Sequence, residues 1–390
     1  MEIERFQMER TQCLYENEVK FNLSESGVWP LTLEELLPDP ADLQAFAAER
    51  LRYPHSTGRE RLRSNIARFY GASGADCVTV TNGGSEANYM TLWGLVGKSD
   101  RVAFMVPNYL QGLGISNAYG RQADTYRLVM QKRDAGGFEW RLDRDSLKNA
   151  VKRNTKVIVV TNPNNPTGAV LDEDEMNAIV AEASRVRAWI LADEIYRGAE
   201  VDRPLTPTFA GRYDKVIITG GLSKAFALPG LRTGWVVAPP AMIRHLCQYH
   251  DYLTLTPSFI SDYLADVVMQ PARRDEILAR TRRIISENLP PVEKWVASHA
   301  DVFDYARPRA GAILTLRYRL PVASEPLFNR FRKEQSVLIT PGAHFGIGKY
   351  IRIGFGYELQ HTLSGLKQLD APLRQLAKGR RKRGANKAAA

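Results

Sequence analysis

Between about residues 76 and 238 the chain alternates short β-branched, apolar runs with longer stretches in which apolar positions recur at helical spacing. The runs fall at 77–80, 102–106, 157–161, 189–192, 216–219 and 235–238, and each is predicted to be a strand. Strands alternating with helical stretches predict a mostly parallel sheet covered by helices. In such sheets ligands collect beyond the carboxyl ends of the strands.

On either side of this block the pattern changes. Residues 1–45 show no clear core and read as an arm that docks elsewhere, and 49–70 reads as an amphipathic helical region interrupted at Tyr53-Pro54-His55-Ser56-Thr57-Gly58. A charged helical stretch at 273–297, expected to break at Pro290-Pro291, leads into a strand and helix mixture at 312–318, 324–335, 337–340 and 350–355. The expected organisation is an arm and substrate-closing loop (1–45), a large domain (46–272), a smaller α/β domain (273–376) and a basic tail (377–390).

With 390 residues, 44% of them hydrophobic and 25% charged, the chain can bury a large core. No apolar run approaches the ~20 residues that cross a bilayer, and Met1-Glu2-Ile3-Glu4-Arg5 lacks the basic-then-apolar pattern of a signal peptide. The expected location is the cytoplasm. Cys13, Cys77 and Cys247 suit neither a disulfide framework nor a metal site, so free thiols and no metal are expected. The net charge of +10 suggests a nucleic-acid partner, yet six of those charges lie in the tail from Lys378 onwards. A solvated end accounts for them, and neither nucleic acid nor membrane is expected as a partner.

Candidate chemistry follows five of the predicted strands. Thr81-Asn82-Gly83-Gly84-Ser85 reads as a strand, two glycines and a helix start with Ser85 as N-cap, which makes a phosphate seat or simply a tight turn. Tyr109 follows 102–106, where it could stack on a planar ring or sit in a core. Asn162-Pro163-Asn164-Asn165-Pro166-Thr167-Gly168 predicts a rigid turn aiming amides into the crevice. Asp193 ends an apolar run, where a carboxylate needs a cation or a protonated ring nitrogen, and Tyr196 can donate to the same ligand. Lys224 follows 216–219 beside Ser223, with Arg232 eight residues on. A lysine for an imine, with serine and arginine for a phosphate, describes pyridoxal 5'-phosphate.

On these residues the chain resembles the fold-type I pyridoxal-phosphate enzymes of the class I/II aminotransferase family, over roughly 20–375. The resemblance implies an α/β, aspartate-aminotransferase-like fold: a large domain with a mostly parallel seven-stranded sheet, and a smaller C-terminal α/β domain. It implies Lys224, Asp193 and Tyr196 as catalytic residues. Lys224 would hold the cofactor and shuttle a proton, Asp193 would keep the pyridine nitrogen protonated, and Asn165 and Tyr196 would bond its phenolic oxygen. Gly84, Ser85, Ser223 and Arg232 would hold the phosphate and Tyr109 would stack on the ring. Tyr53 would reach the phosphate of the neighbouring subunit, which implies a homodimer with shared active sites. Arg352, in Tyr350-Ile351-Arg352-Ile353-Gly354, would clamp the substrate α-carboxylate, with Gly27 in the loop that closes over it. Two departures from the family pattern stand out: Gly221 where a hydroxyl residue is common, and Thr233 after Arg232.

The cofactor does not by itself fix the reaction. Transamination of a free L-amino acid with a 2-oxo acid comes first by frequency among such chains. The segments 251–258 and 23–28 resemble a subgroup of arginine-modifying enzymes that contains capreomycidine synthase. That implies instead a lyase, cyclase or oxidase acting on arginine or an analogue such as canavanine, by γ-elimination in the last case. A guanidinium substrate needs a carboxylate, and Glu16, Glu18 and Glu25 are the candidates, unless they are ordinary surface glutamates. The non-enzyme reading is an inactive, cofactor-binding regulator.

Overall fold

The computed structural model describes residues 2–378, so most of the expected basic tail lies outside the described residues. Eight strands form one sheet: β1 (Val78–Thr81), β2 (Arg101–Val106), β3 (Asp124–Lys132), β4 (Phe138–Leu142), β5 (Thr155–Thr161), β6 (Trp189–Asp193), β7 (Val216–Gly221) and β8 (Gly234–Val237). Their order is β1-β8-β7-β6-β5-β2-β3-β4. The run from β7 to β3 is parallel, whereas β8 is antiparallel to both its neighbours and β4 folds back antiparallel on β3. Six strands match the apolar runs. The hairpin of β3 and β4, whose positions alternate between buried and exposed, adds two more, so the sheet has eight strands and not the seven expected.

The central strands are apolar throughout because both sheet faces are covered. Alternate residues of one strand enter different cores: Ala103 and Met105 pack on one face while Val102 and Phe104 pack on the other. The same alternation divides Ile218 from Ile217 in β7.

A second, antiparallel sheet is ordered β9-β10-β12-β11, from β9 (Phe303–Tyr305), β10 (Ile313–Tyr318), β11 (Thr340–Pro341) and β12 (Tyr350–Gly354). Helix α4 (Pro271–Ala297) leads to it and runs unbroken through Pro290 and Pro291, contrary to the expected break. Burial of Ile285, Leu289, Val292 and Val296 outweighs the two missing backbone donors.

Two helices frame the N-terminal region: α1 (Gln7–Tyr15) and α2 (Glu60–Tyr70). The expected helical region at 49–70 is thus confined to α2, with a separate helix at Pro40–Ala47. The arm does have core residues of its own, since Phe21, Leu23, Val28, Leu36 and Leu37 are buried. Phe21–Asn22 pairs in parallel with Val337–Leu338, and Gly354 N–H donates to Leu23 O (2.8 Å). Gly354 is required there, because a Cβ at this position would collide with the Glu25 carbonyl.

Candidate active site

A cavity of about 580 Å³ opens at the carboxyl ends of β1, β2, β5, β6 and β7, and α1 lies across it. Gly84, Ser85, Tyr109, Asn165, Asp193, Tyr196, Ser223, Lys224 and Arg232 all line it. These residues come from five separate strand ends, so the sheet order gathers what the sequence scatters.

The turn after β1 leads into α3 (Gly84–Leu95), whose N-cap is Gly83 at φ 98°, a backbone conformation that favours glycine. Ser85 is therefore not the N-cap as expected. It sits in the first turn, where backbone N–H groups lack helical acceptors. Gly234 of β8 passes directly behind, and a Cβ there would meet the backbone of Gly83 and Gly84. The Arg232 guanidinium rests against Gly83, with Nη1 3.2 Å from Pro229 O and 3.5 Å from Ser223 Oγ. A helix N-terminus, an arginine and a hydroxyl on one side of a cavity suit a phosphate group. Gly221 departs from the family pattern for a steric reason: a Cβ there would lie 2.8 Å from Thr233 O.

Asp193 ends β6 and accepts hydrogen bonds from Asn88 Nδ2 (3.0 Å) and Ile195 N (3.1 Å). Thr219 Oγ1 donates to Asn88 Oδ1 (2.7 Å), which fixes the amide so that its NH₂ faces the carboxylate. Burial pushes the Asp193 carboxyl above its ordinary range, and the two hydrogen bonds oppose this only in part. No lysine or arginine pairs with it among the described residues. A cationic ring nitrogen would supply the missing charge. Nearby, the Tyr196 hydroxyl is buried without a partner, as an acceptor oxygen on that ring would require. The donor set, the anion seat and Lys224 fit pyridoxal 5'-phosphate.

The asparagine-rich turn divides its labour. Asn162 Oδ1 accepts from Leu171 N (3.0 Å) and Asn164 Nδ2 donates to Pro107 O (3.2 Å), so these two hold the turn together. Only Asn165 lines the cavity, and its Oδ1 accepts from Arg352 Nη1 (2.9 Å). Arg352 itself is 1% exposed and is not part of the cavity wall. Its Nη2 donates to Ser24 O and to Thr340 Oγ1 (3.0 Å), while Nε is buried and unpaired. The arm thus sits on the guanidinium expected to clamp a carboxylate. Gly27 packs against Ser223 O and the Lys224 side chain. Tyr53 is 82% exposed and does not line the cavity.

The cavity mouth is acidic. Of the three candidate carboxylates, Glu16 and Glu25 line it, joined by Glu9 from α1, whereas Glu18 pairs with Arg332 (3.8 Å) and does not line it. Gln12 Nε2 donates to Glu25 Oε1 (3.2 Å), and the Tyr109 hydroxyl donates to Glu9 Oε1 (2.8 Å). Burial, then repulsion from Glu25 and Glu9, pushes the Glu16 carboxyl above its usual value. Glu9, Gln12 and Asn88 are among the lining residues that the sequence did not assign to the site. Asn88 had a signal, lying one helical turn after Gly84 on the helix that starts at the anion seat. Glu9 had none, because only the docking of α1 brings it to the cavity.

The model of the family described as aminotransferase class I and II matches residues 21–362. Capreomycidine synthase of Streptomyces vinaceus is 31% identical over 371 residues, covering 94% of this chain and 92% of that protein. Among solved structures, a PLP-dependent aminotransferase from Streptococcus suis superposes with a TM-score of 0.88 at 29% identity, covering 96% of this chain and 99% of that one. The PLP-dependent cyclase OrfR gives a TM-score of 0.85 at 25% identity, covering 96% and 98%.

Proposed function

Because the chain belongs to the class I and II aminotransferase family and is a pyridoxal-phosphate enzyme, we propose that it acts on a free L-amino acid with a guanidinium-like side chain. The reaction we assign is elimination or cyclisation at the β or γ carbon, without a 2-oxo acid partner. The observation that carries this reading is the wall of Glu9, Glu16 and Glu25 around one cavity. A fork of N–H donors suits such carboxylates, which otherwise repel one another.

The same wall argues against transamination with a dicarboxylic oxo acid, one form of the reading that frequency puts first. A transaminase must seat both an amino acid and an oxo acid in one site. The cations of this cavity wall are Lys224 and Arg232, with Arg352 behind Asn165. The cofactor, its phosphate and the α-carboxylate use all three. A dicarboxylic oxo acid would place its second carboxylate among glutamates.

Bound pyridoxal phosphate supplies an electron sink for negative charge developing at the substrate Cα. In this reading Lys224 holds the cofactor and moves the proton at Cα, and Asp193, set by Asn88, faces the ring nitrogen. Tyr196 and Asn165 donate to the phenolic oxygen while Tyr109 stacks on the ring. Gly84, Ser85, Ser223 and Arg232 hold the phosphate, joined by Tyr53 of a second copy in a homodimer. Arg352 takes the α-carboxylate, and Gly27 lies in the loop that closes beside Lys224. Elimination needs a leaving group on Cβ or Cγ, which a hydroxylated arginine or canavanine has and arginine lacks.

The test incubates pure holoenzyme with canavanine or arginine, with and without a 2-oxo acid. Canavanine cleaved at its Cγ–O bond without an oxo acid is the expected result. Turnover that strictly requires the oxo acid makes the enzyme a transaminase, as the similarity to the Streptococcus suis enzyme would favour.

A further inference from the structure

A second cleft, of about 520 Å³, shares no lining residue with the active-site cavity. It lies where the β3–β4 hairpin meets the segment between β9 and β10, with Phe138 bridged to Ala306. Five arginines line it: Arg133, Arg141, Arg203, Arg307 and Arg309.

The lining carboxylates are already engaged. Glu139 pairs with Arg141 (3.3 Å), and Asp202 pairs with Arg307 (3.2 Å). Arg141 also pairs with Asp172, and Arg307 with Glu293 (3.3 Å). Among the described residues the Arg309 guanidinium has no ion-pair partner, and its side chain donates to a carbonyl, Val170 O (3.1 Å). Its guanidinium is held below the usual range by burial and then by repulsion from Arg203 and Arg141.

Two further groups point the same way. Arg203 Nε and Nη1 are buried without any acceptor, and so is the indole Nε1 of Trp140, whose residue is only 9% exposed. Buried donors without partners are costly, and a cluster of them beside crowded like charges calls for an anion. The frame is rigid, because Val201 N donates to Arg309 O (2.9 Å) and Arg309 N to Gly168 O (2.8 Å). No active-site requirement explains arginines here.

We propose that this cleft binds the phosphate group of a small molecule, with Arg203, Arg309 and the Trp140 indole as its donors. Planar guanidinium forks from several directions match the oxygens of a phosphate better than those of a single carboxylate. The volume leaves room for more than a bare ion, so inorganic phosphate and a phosphate monoester are its two sources. The ligand would tie the eight-stranded sheet to the segment that enters the four-stranded one.

The experiment uses cofactor-loaded enzyme, so that the active-site phosphate seat is filled. Inorganic phosphate and, separately, glycerol 3-phosphate are titrated at constant ionic strength, followed by calorimetry and tryptophan fluorescence. Saturable heat is expected from at least one of them, with a fluorescence change that Trp140→Phe abolishes while the heat persists. The double variant Arg203→Gln/Arg309→Gln should weaken binding by about tenfold or more. A cooperative melting transition and the visible cofactor absorbance should both be retained, which shows that it is folded and loaded. Tighter binding of the ester identifies the monoester as the ligand class, and equal binding identifies free phosphate. Absence of saturable heat from both, or unchanged affinity in the folded double variant, overturns the proposal.

Discussion

Lys224 and the three glutamates define what single side chains do here. If Lys224 is the cofactor lysine, replacing it with Ala should abolish the visible absorbance of the lysine-bound cofactor and cut turnover by about 10²–10⁴-fold or more. A retained spectrum would exclude Lys224 as the cofactor lysine. For Glu25→Gln and Glu9→Gln, loss of a charge-assisted hydrogen bond, about 1.5–3 kcal/mol, predicts a KM for canavanine about tenfold or more higher. Unchanged KM in both would remove the guanidinium reading while leaving the cofactor assignment intact. The pH dependence follows from Glu16, whose carboxyl is raised above its ordinary value by burial and by its acidic neighbours. As pH falls through that raised value Glu16 takes up a proton and stops attracting a cation. The KM for a cationic substrate should therefore rise on acidification, and Glu16→Gln should flatten that limb of the KM–pH profile.

At the scale of elements, the arm and the strand it lies on set access to the site. The Ser24 carbonyl accepts from Arg352, so a substrate carboxylate that engages Arg352 has to displace the arm locally. Amide hydrogen exchange over residues 21–28 should change on adding a substrate or its unreactive analogue. Unaltered exchange would show that Arg352 meets its ligand some other way. Gly354→Ala places a methyl group against the Glu25 carbonyl and should lower stability by about 1–3 kcal/mol, read as a fall in Tm. It should also raise KM, because it moves the backbone that carries Glu25. The unbroken α4 teaches a related lesson about elements. Two consecutive prolines forbid donors locally, yet a buried apolar stripe keeps the helix whole.

For the whole molecule, Leu51, Tyr53 and Tyr252 are 77%, 82% and 83% exposed, an unusual cost for large apolar side chains in a lone chain. A homodimer should cover them, and light scattering should give about twice the 43.8 kDa chain mass. A monomer at working concentration would remove Tyr53 from the cofactor site. Much of this architecture was legible beforehand, because the parallel strands announce themselves as apolar runs and the residues just past them must face the crevice. Lys224, Asp193, Tyr196 and the Gly84–Ser85 turn were readable for that reason: local chemistry and strand position coincide there. The antiparallel hairpin of β3 and β4 was not, since its mixed burial leaves only the three-residue apolar run Leu128-Val129-Met130 among polar residues. By itself the sequence determined the sheet's parallel core, the cofactor and that Lys224 lies at a strand end facing the crevice. Only the tertiary structure decided that α1 lays Glu9 beside Glu16 and Glu25, that the arm sits on Arg352, and that arginines from three segments crowd a second cleft. Those arrangements depend on how distant segments dock, and docking is set by complementary surfaces that no local pattern of residues encodes.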